Sequence, residues 1–304
     1  MITAGLILAA GVVSEHSVRK PTDHIGGASS IKRIIMVFRQ AGIKKIAVVT
    51  GYNAEETENH CGHVGAVFLR NDDYETGDML SSVKIGLDYL KDKCERVFIA
   101  PADVSLFSVD TVKSMEDASG QMVIPVCRNN TGHPLLLSRD LFDRVLEYNG
   151  ALGIGDALSG EDIERRFLVV SDEGILIDTQ NNKDISEVVE KHGLRNIRVE
   201  AKIQLVCEKG FFGPGTLLLL TLVTETGSLK HAAKRMGVSH SKAIKMIAVA
   251  EDQLGYELLE SKRGGGAGGT SKVTDAALDF MRRYEALESE SNELVQTAFD
   301  KHFG

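Results

Sequence analysis

Between Gly227 and Lys272 lie eight Lys and Arg residues against four Asp and Glu, a local charge of +4 in a chain whose total is −8. The residues around these charges are spaced to read DNA. Ser228 is placed to cap a helix beginning at Leu229, and Ala232-Ala233 lets a second helix approach closely. Gly237 permits a tight turn, and Ser239 caps the helix that follows. This is a helix-turn-helix layout, whose second helix lies in the major groove. Its first turns offer Ser239, His240, Ser241, Lys242 and Lys245. Serine and lysine side chains donate to base edges or phosphates. Lys262, Arg263 and Lys272, grouped around the glycines of residues 264–269, are expected on a wing that reaches a phosphate or the minor groove. Double-stranded DNA is the expected partner. The plainer alternative is a helical packing motif with solvated lysines.

The elements that must position these residues read as helices Pro214 to Thr224, Leu229 to Met236 and Ser239 to Leu254. Short strands at Glu257 to Glu260 and Ser271 to Thr274 follow, then a helix from Asp275 to about Ala298. Val199 to Cys207 alternates apolar and polar residues, as a half-buried strand does. Upstream the pattern changes. Apolar runs at Ile2 to Ala9, Lys45 to Thr50, Ala66 to Leu69, Arg96 to Ala100 and Met122 to Val126 read as strands. Helical stretches at Ser29 to Ala41, Ala54 to His60, Met79 to Leu90 and Val109 to Met115 lie between them. Continuous apolar strands separated by helices indicate an α/β, Rossmann-like, mainly parallel sheet with helices on both faces. A mainly α winged helix-turn-helix domain follows it. Ligands of such sheets bind outside the carboxyl ends of the strands, where Gly11, Asp103 and the stretch before Gly132 fall.

At 304 residues the chain is long enough for two domains. Residues 1–194 hold 20 basic and 29 acidic residues, and residues 195–304 hold 15 and 14. The boundary is placed near Gly193-Leu194, giving domains 1–194 and 195–304. The acidic total excludes a general polyanion binder, so nucleic-acid contact must be local. Cys61, Cys94, Cys127 and Cys207 lie far apart with no CxxC pair, which points away from disulfides and structural zinc and toward a reducing cytoplasm. His60-Cys61-Gly62-His63 has metal-capable side chains at no standard spacing and reads as a plain loop. The start has no basic n-region, and the longest aliphatic stretch, Leu217 to Val223, is far below the roughly 20 residues that span a bilayer. A cytoplasmic protein without membrane contact is expected.

Leu8-Ala9-Ala10-Gly11 closing the first strand resembles the start of the MobA/MocA-like nucleotidyltransferases, which make molybdopterin dinucleotides. Lys20 and Gly26-Gly27 fall at that family's spacing, and Gly77-Asp78-Met79-Leu80-Ser81-Ser82 matches its base-facing loop. Ala102-Asp103, Gly132-His133-Pro134 and Asp178-Thr179 match its metal aspartate, its substrate-side GHP and the end of its DxDTP. The resemblance covers about residues 1–190. It implies a nucleotide or ligand site built from Ala9, Ala10, Gly11, Lys20, Gly77, Ser81, Ser82, Gly132 and His133. It implies catalytic roles for Lys20 and Asp103, and Mg²⁺ held by Asp103 and Asp178. Such chemistry needs backbone N–H groups and cations around a triphosphate, and carboxylates for the metal. Several positions depart from the family pattern. Val13, Glu15, His16 and Ser17 replace Ser, Arg, Met and Gly of LAAGxSxRMGxxK, and Ser105, Leu176 and Gln180 replace Pro, Asp and Pro elsewhere. Exchanging a cation for Glu15 reverses about 4 kcal/mol per charge pair at short range. That argues against tight NTP binding in the usual pose.

Residues 195 to about 300 resemble the winged-helix domain of the molybdate-responsive, ModE-type regulators. The resemblance rests on Phe212-Gly213-Pro214-Gly215, Thr226-Gly227-Ser228-Leu229, Ala232-Ala233-Lys234, Gly237-Val238-Ser239 and the glycine-rich wing. Thr216 and Ile244 stand where that family usually has Arg and Trp. The resemblance implies a homodimer formed through this domain and its long helix. Together the two halves imply a DNA-binding transcriptional regulator linked to molybdenum cofactor metabolism, with a degenerate nucleotidyltransferase-like domain sensing a nucleotide or molybdopterin. The alternative is an active CTP- or GTP:molybdopterin nucleotidyltransferase that also carries a DNA-binding domain.

Overall fold

The computed structural model describes residues 1–11, 20–25, 28–61, 65–75, 78–150, 152–181, 199, 201–262 and 270–303. It divides into two compact units, Met1–Arg195 and Asn196–Gly304.

The first unit is built on strands β1 (Thr3–Ala9), β2 (Lys45–Thr50), β3 (Val67–Arg70), β4 (Arg96–Pro101), β5 (Met122–Cys127), β6 (Leu135–Ser138) and β7 (Arg165–Val169). They lie in the order β7-β5-β6-β4-β1-β2-β3, and Asn130–Thr131 pairs with β5 as an eighth strand. β1 pairs in parallel with both β2 and β4. β2–β3 and β5–β7 are also parallel. β6 runs antiparallel between β4 and β5. The sheet is thus mainly parallel, with an antiparallel insertion that the apolar pattern did not reveal. Every residue of β1 is buried, as expected of a strand covered on both faces.

Helices α1 (Ser30–Gln40), α2 (Ala54–Cys61), α3 (Met79–Leu90) and α4 (Val109–Asp117) alternate with the strands. The α1 apolar face brings Ile31, Ile34, Ile35 and Phe38 onto Ile7, Phe98 and Phe107. Phe38 packs with its ring centroid 5.6 Å from that of Phe98 and 5.8 Å from that of Phe107. Gly5 makes this approach possible, since a Cβ there would sit 2.6 Å from the Phe38 ring. Three helices are stopped at their N-termini by side chains: Ser29 for α1, Asp78 for α3 and Ser108 for α4.

The second unit contains helices Pro214–Thr226, Leu229–Arg235, His240–Leu254 and Asp275–Phe303. Proline begins the first, and Gly227 ends it at φ 63°. Ala232 and Ala233 are buried in the helix-turn-helix contact, and Gly237 makes the turn at φ 68°. Strands Leu259–Lys262 and Thr270–Val273 form an antiparallel hairpin. The long helix packs through Phe280 and Tyr284 onto Phe212, with centroids 4.9 and 5.0 Å apart. The strand expected over Val199 to Cys207 is reduced to Leu205–Val206, paired with Gly210–Phe212. The backbone ahead of it finds a side-chain partner instead, because the Tyr284 hydroxyl donates to the Ile203 carbonyl at 2.6 Å.

Candidate functional site

In the first unit the chemistry-bearing residues gather at the carboxyl ends of the parallel strands. Ala9 and Ala10 are buried where β1 ends, and Gly11 is exposed with open space where a Cβ would stand. The Ala10 carbonyl accepts from the Tyr52 N–H at 3.0 Å, tying the end of β1 to the end of β2. Ala9, Gly11 and Lys20 line one small cleft with Pro21, Thr22, Tyr52, Asn53, Glu56 and Thr57. Lys20 is held in a turn, its N–H on the Asp23 carboxylate at 2.7 Å. Among the described residues this cleft therefore carries the cation of Lys20 and the carboxylate of Glu56, beside a backbone that a ligand can approach. Val13, Glu15, His16, Ser17, the Gly26-Gly27 pair and Gly77 lie outside the described residues.

Ser81 and Ser82 stand in the first turn of α3. The Asn71 amide donates to both hydroxyls, at 2.9 and 3.0 Å, and the Ser81 hydroxyl donates to the Asp78 carbonyl. Both hydroxyls thus already have protein partners, and Asn71, at the end of β3, orients them.

Asp103 follows β4. Its Oδ1 is buried and has no hydrogen-bond partner. Burial, and then the charge of Asp178, push its carboxyl above the usual range. Asp178 lies on a segment that returns across the strand ends. Its Oδ1 accepts from the N–H groups of Gln180 and Asn181, and its Oδ2 from the Asn181 amide at 2.7 Å. Thr179 donates both its N–H, at 2.6 Å, and its hydroxyl, at 2.7 Å, to the Asp103 carbonyl. Its hydroxyl also lies 3.3 Å from that of Ser30 and 3.5 Å from that of Ser105.

The same returning segment holds the GHP turn. His133 N–H donates to the Ile175 carbonyl at 3.0 Å, and a Cβ on Gly132 would lie 2.4 Å from that oxygen. Burial lowers the His133 pKa, and its buried Nδ1 has no partner. Asp172 anchors the start of the segment. Its carboxylate accepts from the Ser108 N–H at 2.7 Å, the Thr111 hydroxyl at 2.6 Å and the Gly174 N–H at 3.0 Å.

Sequence reasoning passed over Asn71, Tyr52, Glu56 and Asp172, and named Thr179 only as part of a motif, without a role. Asp172 and Thr179 act through a fold-back that no local spacing encodes. Asn71 had a signal, a polar residue directly after a buried strand.

Two carboxylates, one with an unpartnered buried oxygen, suit a hard divalent cation, which takes one or two carboxylates and completes its shell with water or phosphate oxygens. Among the described residues no group of three or more His, Cys, Asp or Glu gathers to hold a metal alone. His60 and Cys61 end α2. His60 Nε2 lies 2.9 Å from the Ser29 hydroxyl, and burial, helped by Lys32 and His24, lowers its pKa. Cys61 is fully buried and its thiol is pushed up to about 11. Gly62 and His63 lie outside the described residues.

In the second unit Ser239 accepts from the Lys242 N–H, capping the His240–Leu254 helix. Ser239, His240, Ser241, Lys242 and Lys245 are all exposed. Lys272 is exposed on the hairpin opposite Glu260. Lys262 ends the other strand of that hairpin, and Arg263 with the glycine-rich tip lies outside the described residues.

A sequence profile described as MobA-like NTP transferase domain matches residues 5–165. The chain belongs to this family. A second profile, described as bacterial regulatory helix-turn-helix protein, lysR family, matches residues 215–278. The expected helix-turn-helix is therefore present, and the type matched is LysR. No curated protein sequence matches the chain. Among solved structures, a nucleotidyl transferase from Methanothermobacter thermautotroptrophicus is similar at 19% identity and a TM-score of 0.53, over 63% of this chain and 97% of that one. Rv0371c from Mycobacterium tuberculosis H37Rv is similar at 18% identity and a TM-score of 0.49, over 56% and 88%. The first of these supports the nucleotidyltransferase fold of the first unit. No helix among the described residues is long and apolar enough to cross a membrane.

Proposed function

We propose that this MobA-like family member is a one-component transcriptional regulator of the cytoplasm, linked to molybdenum cofactor metabolism. Domain 195–304 binds double-stranded DNA, and domain 1–194 senses a molybdopterin or a nucleotide. The observation that carries this reading is a capped helix with an exposed polar and cationic face, in one chain with a nucleotidyltransferase fold. Ser241, Lys242 and Lys245 would meet the major groove, with Ser239 and His240 at its edge, while Lys262, Arg263 and Lys272 would meet backbone phosphates. Pro214 at the start of its helix, within Phe212-Gly213-Pro214-Gly215, supports a ModE-type relationship. A homodimer is supported by Leu287 and Leu294, which are 42% and 65% exposed and lie one heptad apart on the long helix.

In the first unit the ligand would lie across Ala9, Ala10, Gly11 and Lys20, with Gly77, Ser81 and Ser82 toward a base and Gly132 and His133 toward the pterin. Asp103 and Asp178 would hold Mg²⁺, which when bound supplies positive charge to phosphate oxygens. Lys20 would place a cation beside the same phosphates. Glu15 and Val13, in place of Arg and Ser, disfavour turnover and favour sensing. One observation favours the second reading, an active CTP- or GTP:molybdopterin transferase: Asp103 keeps a buried oxygen unpartnered, as a metal ligand would. Operator titration of the full chain with molybdopterin, its nucleotide form, NTPs and molybdate tests the sensor. A shift with the pterin supports it, and a shift with molybdate alone refutes it. Steady nucleotide transfer abolished by Asp103→Ala establishes the second reading instead.

A further inference from the structure

The His240–Leu254 helix carries one residue that its polar neighbours do not explain. Ile244 is 48% exposed. At the helical repeat, buried Ala243, Ile247 and Ala250 define the inner face, and Ser241, Lys245 and Ala248 define the outer one. Ile244 stands on one flank of that outer face and Lys242 on the other. The other exposed large apolar residues described in this unit are Val206, Leu287 and Leu294, all on different elements. Ile244 is thus the one large apolar side chain exposed on this helix, with only the small Ala248 one turn beyond it, and the two make too small a patch to dock a protein.

The major groove offers one apolar group on its base edges, the C5-methyl of thymine. The geometry points to Ile244 as a specificity-determining residue that packs against a thymine methyl, so that each half-site holds an A·T pair at one fixed position. Ser241 lies one turn before Ile244, and Lys245 is its neighbour toward the outer face. A lysine ammonium donates to guanine acceptors. The methyl contact therefore borders a base read by hydrogen bonds. This inference rests on the DNA-binding reading of the second unit.

The test starts with the full chain and a random duplex library. In the selected site each thymine is replaced in turn by uracil, which removes only the methyl group, and affinity is measured by fluorescence anisotropy. Burial of one methyl corresponds to about a fourfold change in affinity. Wild type should lose about that factor per half-site at one position. Ile244→Ala should bind the thymine and uracil sites equally, and Ile244→Val should keep part of the difference. If a specific site is selected but no uracil weakens wild type, the methyl contact is wrong and the DNA reading stands. A full uracil penalty in Ile244→Ala also overturns it. If no sequence is enriched at all, both the contact and the DNA reading fail.

Discussion

Replacing Asp172 by Ala should destabilise the first unit and loosen its strand-end site together. Asp172 is 6% exposed, and among the described residues Ser108 and Thr111 donate to its Oδ2 and Gly174 to its Oδ1. A hydrogen bond to a charged group contributes about 1.5–3 kcal/mol. The three share two oxygens, and water entering the gap recovers part of the loss, so the expected cost is about 3 kcal/mol rather than the sum. For a unit of this size each kcal/mol lowers Tm by about 2–4 °C, giving a fall of roughly 6–12 °C. Asp172→Asn keeps the shape and one carbonyl acceptor and should lose less than half of that. Differential scanning calorimetry of the full chain with and without Mg²⁺ measures both effects. The Ala variant should also show a smaller Mg²⁺-induced shift, because Asp178 lies six residues along the same segment. A Tm fall below about 2 °C, or equal losses for Ala and Asn, refutes the anchoring role.

Asp103→Asn should raise Tm in the absence of divalent cations and abolish stabilisation by Mg²⁺. The folded carboxyl is held above its ordinary 3.8 by burial and by Asp178, so its ionised form opposes folding. That penalty is present at neutral pH and is relieved as pH falls through the raised folded value, and thermal melts across pH check the sign. Lys242→Ala with Lys245→Ala should weaken operator binding and make the plot of log affinity against log salt shallower, by up to about 1.8 per protomer, since a cation lying in the groove also displaces counterions from the phosphates that wall it. An unchanged slope in the double variant removes the helix assignment. Leu287→Lys with Leu294→Lys should give monomers in light scattering, and weaker operator binding with them, if the long helix joins two copies. A dimer that survives both charges refutes that seam.

Strands β1 to β5 were legible because each is a mainly apolar run that ends close to a glycine, a proline or a polar residue. β1, β2 and α3 fall within a residue of expectation for that reason. β6 and β7 were not seen. Leu135–Ser138 is short and follows a turn, and Arg165–Val169 is an edge strand with Phe167 and Val169 exposed, so neither shows the pattern of a buried strand. Val199 to Cys207 misled in the opposite sense, since alternation needs a partner strand and, among its described residues, only Leu205 and Val206 find one. At the site, Gly11, Asp103 and Asp178 could be read from their places after apolar runs or in motifs. Thr179 stood in the same motif as Asp178 but without a role, and Asp172 and Asn71 were not singled out, because what these three do depends on chain segments 76, 64 and 10 residues away.

The segment from Asp172 to Thr179 bears on where this protein can be cut. The family match ends at residue 165, yet the contacts to α4, to the GHP turn and to the Asp103 backbone all come from beyond it. A fragment trimmed to the recognised family boundary would keep most of the sheet's central strands and lose the clasp over its ligand edge. Such a fragment would fold as a nucleotidyltransferase-like body with a slack site, and its failure to bind would say nothing about the intact chain. The shortest faithful piece of the first unit must extend past Asn181, whose amide still holds Asp178. The rigidity of the site is therefore set in part by residues that lie beyond the matched core.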